Sequence, residues 1–272
     1  MRIVNLIENT QGVPGCGYEH GLSFYIETRK HRLLVDSGAT DQFLHNAGIL
    51  GIDLRAVDTM ILSHGHYDHA GGILAFSGMN PDAEIYLRSS AGGEYYHLKA
   101  DGEKYIGIDK EILKLEQCVF VQGDLEIDDE LFLYTDVQGT RYPAKGNQLL
   151  VRREEREFVQ DTFDHEQCLV ISQDGKRILL SGCAHAGILN ILDRYQEIFH
   201  SEPDMVISGF HLMKEGAYTQ EEILNIRNIA RELAELDTVF YTGHCTGEEA
   251  CSIMKEIMGE KLRVLHSGMT IL

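Results

Sequence analysis

The 272-residue chain is 43% hydrophobic and 25% charged, enough apolar side chain to bury a full core, and its composition excludes a disordered or low-complexity protein. A net charge of −19 repels phosphate backbones and anionic lipid surfaces, which argues against nucleic-acid and membrane partners. No apolar run approaches the ~20 residues of a membrane span, the first nine residues turn polar too soon for a signal peptide, and six scattered cysteines form no Cys-x-x-Cys pair, so the expectation is reduced thiols in the cytoplasm.

Residues 2–8 alternate around Ile3, Leu6 and Ile7 as a first strand, followed by a glycine-rich loop over 11–17. Residues 22–27 and 32–36 read as a hairpin, and a short helix carrying Phe43, Leu44 and Ala47 on one face stops at Gly48. The apolar run 57–62 closes on Ser63-His64-Gly65-His66-Tyr67-Asp68-His69-Ala70-Gly71-Gly72; a helix through Ile73, Leu74 and Phe76 and a strand over 84–87 come next. From 88 to about 145 the rhythm breaks, and this stretch reads as an insertion near the active-site face. Strands are expected again over 148–152, 167–171 and 177–180, the last running into Ser181-Gly182-Cys183-Ala184-His185-Ala186-Gly187 and a helix with Leu189, Leu192, Tyr195 and Phe199 on its inner face. The strand 205–208 ends in Gly209-Phe210-His211, and Thr219 to Glu222 has the spacing of a capping box opening a helix that buries Ile223, Ile226, Ile229 and Leu233. The strand 238–241 ends in Gly243-His244-Cys245, a second such spacing at Thr246 to Glu249 opens the last helix, and short strands finish the chain. Two runs of strands, each followed by strand-helix units and with no linker between them, predict one α/β (α+β) domain over 1–272, two sheets packed face to face with helices outside.

In an extended segment His64 and His66 point the same way and can grip one metal ion, while Asp68 and His69, beyond the turn, are offset toward a second. Imidazole nitrogen with carboxylate oxygen suits zinc first, manganese or iron next. The alternative, a solvated polar loop, does not explain three histidines and an aspartate within six positions at a strand end.

The 63–72 motif resembles the metal-binding motif of the metallo-β-lactamase superfamily, whose fold is an αββα sandwich. Glu19-His20-Gly21-Leu22-Ser23, Leu34-Val35-Asp36-Ser37-Gly38, Gly182-Cys183-Ala184-His185-Ala186-Gly187-Ile188-Leu189-Asn190, Gly209-Phe210-His211-Leu212 and Gly243-His244-Cys245-Thr246-Gly247 resemble its branch named for 7,8-dihydropterin-6-methyl-4-(β-D-ribofuranosyl)aminobenzene-5′-phosphate synthase. The resemblance implies two divalent metal ions, one held by His64, His66 and a third ligand, the other by Asp68, His69 and His244, with Asp68 also catalytic. His185 is the preferred third ligand and His165 its competitor. The superfamily's bridging carboxylate is missing, since the strand ends in Ser181-Gly182-Cys183. Asp36 is expected to orient the histidine loop rather than bind metal. His211, Cys183 and His20 are assigned to substrate, with packing, an inert thiol and loop structure as their respective alternatives. His31, His45, His97, His200 and His266 are read as surface or packing residues.

The implied function is a metal-dependent enzyme, hydrolase or dihydropterin phosphate synthase-like, acting on a small anionic, phosphorylated pterin- or nucleotide-like molecule. The amides opening the helix after Gly187 are expected to help hold that anion. A di-iron redox protein of the same fold is disfavoured because His66 stands where that branch carries Glu and no flavodoxin-like domain follows. A non-catalytic sensor would have lost ligands, and the first motif is intact.

Overall fold

The protein is described by a computed structural model covering residues 1–272. In chain order, β1 (Arg2–Ile7), β2 (Ser23–Glu27) and β3 (Arg32–Val35) lead to α1 (Gln42–Ile49), and β4 (Thr59–Ile61) leads to α2 (Tyr67–Ala70) and α3 (Ile73–Met79). Next come β5 (Glu84–Arg88), β6 (Tyr95–Lys99), β7 (Gly102–Tyr105), β8 (Cys118–Val121), β9 (Leu125–Glu126) and β10 (Leu131–Tyr134). The second half comprises β11 (Leu150–Glu154), β12 (Glu157–Gln160), β13 (Cys168–Gln173), β14 (Lys176–Ser181), α4 (Ile188–Phe199), β15 (Met205–Ser208), α5 (Gln220–Glu235), β16 (Val239–Thr242), α6 (Glu248–Met258) and β17 (Leu262–Val264).

Six strands form one sheet in the order β1-β2-β3-β4-β5-β8 and seven form another in the order β17-β16-β15-β14-β13-β10-β9. Alternation in the strands gives each sheet two apolar faces, and the packing uses all of them. Ile3, Phe24, Ile26, Val35 and Ile61 of the first sheet meet Leu133, Leu169, Ile178, Leu180 and Ile207 of the second in the central layer. The outer face of the first sheet (Val4, Leu34, Met60, Ile85) takes Phe43 of α1 and Phe76 of α3. The outer face of the second (Val170, Leu179, Val206, Phe240) takes Leu192, Ile229 and Met254 from the three long helices. These three layers of core are an αββα sandwich.

The expected insertion is drawn differently. β8 joins the first sheet and β10 the second, while β6 and β7 pair with β11 and β12 in a separate four-stranded sheet, order β12-β11-β6-β7. The added layer therefore comes from two remote stretches, about 95–105 and 150–160, not from a single block at 88–145. Periodicity marks β11 as a strand without saying which sheet receives it. The two expected capping boxes also part ways. Thr219 and Glu222 bond reciprocally at the start of α5, whereas Gly247 caps α6 and the Thr246 hydroxyl is engaged by Thr242 (2.6 Å) and the Phe210 amide (2.8 Å). Ile223, expected in the core, is only half-buried.

Candidate metal centre

The histidines converge because the strands that deliver them run parallel. β3, β4, β5 and β8 are parallel neighbours, as are β14, β15, β16 and β17. Asp36 follows β3, Ser63 and His64 follow β4, Cys183 and His185 follow β14, His211 follows β15 and His244 follows β16. Register completes the alignment, with Val35 opposite Ile61 and Ser181 opposite Ser208. The loops turn sharply at these ends: Asp36, Ala184, His211 and His244 hold φ of 57°, 49°, 49° and 48°, left-handed conformations of the kind that store strain at functional sites.

Hydrogen bonds fix how each ring presents its nitrogens. The Ser63 hydroxyl donates to Asp36 Oδ2 (2.8 Å), so His64 Nδ1 donates to Ser63 Oγ (2.9 Å). His69 Nδ1 donates to Asp36 Oδ2 (2.6 Å), His185 Nδ1 to Asn147 Oδ1 (3.1 Å) and His244 Nδ1 to Asn9 Oδ1 (2.8 Å). With Nδ1 committed as the donor on His64, His185 and His244, the lone pair sits on Nε2, the tautomer a metal requires. The Nε2 atoms of His64, His66, His185 and His244 are buried without a hydrogen-bond partner. Orphaned buried acceptors are costly in a folded protein, and such a set fits a bound cation.

The rings of His64, His66 and His185 stand 4.6 to 4.9 Å from one another by centroid. Ligand atoms of His64, Cys183 and His185 lie within 4.8 Å of one another, as do those of His69, Cys183 and His244, and those of His20, Asp68 and His244. Asp68 Oδ2 is 3.3 Å from His244 Nε2, 3.3 Å from His20 Nε2 and 3.9 Å from His69 Nε2. Of the residues expected at the two metal positions, His66, Asp68, His185 and His244 line the cleft and His64 and His69 are fully buried, while the His66 ligand atom groups within 4.8 Å with those of Asp161 and His165. His165, the alternative to His185, has both nitrogens committed: Nδ1 accepts from the Gly65 amide (2.9 Å) and Nε2 faces Asp161 (3.2 Å), leaving no lone pair for an ion. Asp36 is spent on Ser63 and His69. Cys183, assigned from sequence to substrate, lines the cleft, with its Sγ 3.2 Å from His69 Nε2.

Burial holds the imidazoles of His64 and His185 well below the ordinary histidine range and brings His66 down to about 3, so all three stay neutral. Burial opposes charge on His69 as well, but Asp36 and Asp68 carry it up to about 9. Burial would raise the Asp68 carboxyl, yet His69, His20 and His244 hold it well below the usual range, so it remains a carboxylate.

Above the floor opens a cleft of about 1180 Å³, room for a pterin- or nucleotide-sized molecule. Its walls carry Lys99 and Lys104 from β6 and β7, Lys145 and Lys214, together with His211, His20 and His97, the last expected as a surface or packing residue. Lys214 is paired with Glu222 and Lys145 stands 3.5 Å from Glu221, while Lys104 reaches the Tyr67 hydroxyl at 3.2 Å. In the loop just before α4, whose N-cap is Gly187, the amides of His185 and Ala186 donate to the buried Glu166 side chain (2.7 and 3.1 Å). Glu166, Asn147 and Phe163, whose ring stacks on His185 at 4.5 Å, were not singled out from sequence because nothing local in it links residues 147–166 to 185. A smaller hollow of about 520 Å³ beside α4 has Arg141, Asp193 and Glu232 in its lining, the arginine paired with both carboxylates.

The αββα sandwich carries a ring of imidazoles at the ends of its parallel strands. The model of the metallo-beta-lactamase superfamily matches residues 17–208, and the chain belongs to that superfamily. It is 28% identical over 296 residues to the 7,8-dihydropterin-6-methyl-4-(β-D-ribofuranosyl)-aminobenzene-5′-phosphate synthase of Methanocaldococcus jannaschii, covering 100% of this chain and 96% of that one. Among solved structures it is similar to Tm1679, described as a metal-dependent hydrolase of the β-lactamase superfamily (TM-score 0.83, 33% identity, 100% of this chain and 98% of that one). It shares its fold with YhfI of Bacillus subtilis (TM-score 0.57, 15% identity, both chains fully covered). A relative named as a synthase, within a family largely of hydrolases, supports an enzyme. No helix is long and apolar enough to cross a membrane.

Proposed function

We propose that this chain is an enzyme that binds two divalent ions, zinc first and manganese or iron as alternatives, and acts on a small phosphorylated molecule of pterin or nucleotide size. The observation that carries the proposal is the set of buried, unpartnered Nε2 atoms on His64, His66, His185 and His244, the last three on residues that line one cleft and His64 fully buried in ring contact with His66 and His185. His64, His66 and His185 would hold one ion, and Asp68, His69 and His244 the other. Bound there, such ions supply Lewis acidity toward a phosphoryl or carbonyl oxygen and a water that is nucleophilic at neutral pH.

The chain's own residues do the rest. Asp68, kept ionised, is placed to accept a hydrogen bond from the attacking group and so orient it, while Asp36, Asn9 and Asn147 keep the imidazoles in the ligating tautomer. His211 and the cleft lysines give local positive potential in a chain of net charge −19, which favours an anionic small molecule over a neutral one. The relative's name, a synthase forming a phosphorylated dihydropterin conjugate, agrees with such a substrate. Six free cysteines fit a reducing, cytoplasmic setting.

The test has two parts. Elemental analysis of the purified protein is expected to give up to two transition-metal ions per chain, with most of one equivalent lost when His64→Ala and His66→Ala are combined; unchanged metal content refutes the assignment. A panel of phosphomonoesters, phosphodiesters, lactams and dihydropterin diphosphate with an arylamine phosphate then separates hydrolysis from condensation. Turnover of none of them, by metal-loaded protein, refutes the substrate class.

A further inference from the structure

Cys183 stands where two ligand groups meet. Its Sγ lies within 4.8 Å of the ligand nitrogens of both His64 and His185, and equally of both His69 and His244, and it is the one residue common to the two histidine pairs. A structural cysteine ordinarily packs as a small hydrophobe among apolar neighbours. This one, almost fully buried, is ringed instead by imidazoles, three of which (His64, His185 and His244) carry a buried Nε2 with no hydrogen-bond partner. The backbone is shaped to bring it there. A Cβ on Gly182 would fall 2.1 Å from Ser63 Oγ and 3.0 Å from His64 Nδ1, so only glycine lets the end of β14 press this close to the histidine loop.

We infer that the Cys183 thiolate is a ligand shared by both ions, doing through one sulfur what a carboxylate would otherwise do through two oxygens. This deepens the two-ion reading proposed above and rests on it. Sulfur has the lone pairs to bind two cations at once, and coordination removes the thiol proton to solvent with no electron transferred. The consequence is selectivity. A thiolate at the shared corner makes the pair of positions softer than a histidine-carboxylate centre, favouring zinc and iron(II) over manganese and magnesium.

The experiment is X-ray absorption at the zinc edge on the full-length protein loaded with two equivalents of zinc, together with Cys183→Ser, Cys183→Asp and Cys245→Ser. A sulfur shell at about 2.3 Å is expected in wild type and in Cys245→Ser and is expected to vanish in both Cys183 variants, Cys183→Asp keeping its two zinc ions through oxygen. Cobalt loading gives an independent signature, a sulfur-to-cobalt charge-transfer band lost with Cys183. Zinc bound without a sulfur shell overturns this inference alone. A shell that survives in Cys183→Asp and disappears in Cys245→Ser overturns it in favour of Cys245, whose Sγ also lies within 4.8 Å of Cys183 Sγ. A wild type that takes up no zinc overturns it together with the two-ion reading.

Discussion

Asp36 Oδ2 accepts the Nδ1 proton of His69 at 2.6 Å, and both groups are almost wholly shut off from solvent. The same carboxylate takes the Ser63 amide and hydroxyl, so one residue sets the geometry of the whole 63–69 loop. Asp36→Asn leaves one oxygen and puts an amide donor where an acceptor is needed. The expected outcome is a loss of metal affinity of roughly 10–100-fold, read by competition with a chelator. Wild-type affinity would show that His69 does not depend on Asp36.

Asp68→Asn keeps the side-chain shape and one oxygen but removes the charge held by His20, His69 and His244. Turnover on a substrate from the panel is expected to fall on the order of 10²-fold or more, with substrate affinity much less affected. Near-normal turnover refutes its catalytic role.

Gly182→Ala tests the close approach of β14 to the histidine loop. The added methyl meets Ser63 Oγ, which is locked by Asp36, so the strand end rather than the side chain has to move. Destabilisation of about 1–3 kcal/mol is expected in chemical denaturation, with reduced metal content in the folded fraction. A variant that melts and loads like wild type would show slack at that contact.

His31 provides a pH prediction away from the cleft. Its ring bridges Asp58 (2.9 Å) and Asp128 (3.0 Å); partial burial opposes its charge, but the two carboxylates raise its pKa above 6.5. A raised folded-state pKa means the stabilisation is complete below the unfolded value of 6.5 and is lost as pH rises through the folded one. The stability gap between wild type and His31→Gln is therefore largest in mildly acidic solution and closes toward alkaline pH. A gap that is constant or widens with pH would contradict it.

His211→Ala addresses the substrate side. Calorimetry with inorganic phosphate on metal-loaded protein is expected to show weaker binding and unchanged metal content. Equal affinities would remove His211 from the anion site.

Much of the sandwich could be read from the sequence because alternation and capping are local signals: 22–27 and 32–36 pair as a hairpin, and Thr219 opens its helix as its spacing suggests. The candidate site's histidine cluster was legible for a related reason, since His64, His66, Asp68 and His69 lie within one short motif. What distance along the chain concealed is the choice among partners. His165 and His185 look equivalent as residues near strands, and only the Gly65 amide and Asp161 disqualify the first. Glu166 sits beside His165 in sequence but acts at His185, and β11 joins β6 across more than fifty residues. Such pairings belong to the fold and leave no mark on the local pattern.

The hairpin of β6 and β7 that carries Lys99 and Lys104 ends in a bridge between Gly107 and His66, and the Tyr67 amide donates to the Ile106 carbonyl at 2.9 Å. The part of the molecule that would choose a substrate is thus sewn by main chain to the loop that would hold the ions. Thermodynamic reciprocity then applies: whatever an occupant of the cleft does to metal retention, the metals do equally to its binding. An exchange of this hairpin for a foreign one would not be a neutral graft. Its side chains are free to change, but the stitches at 66 and 67 have to be kept for the floor beneath to keep its shape.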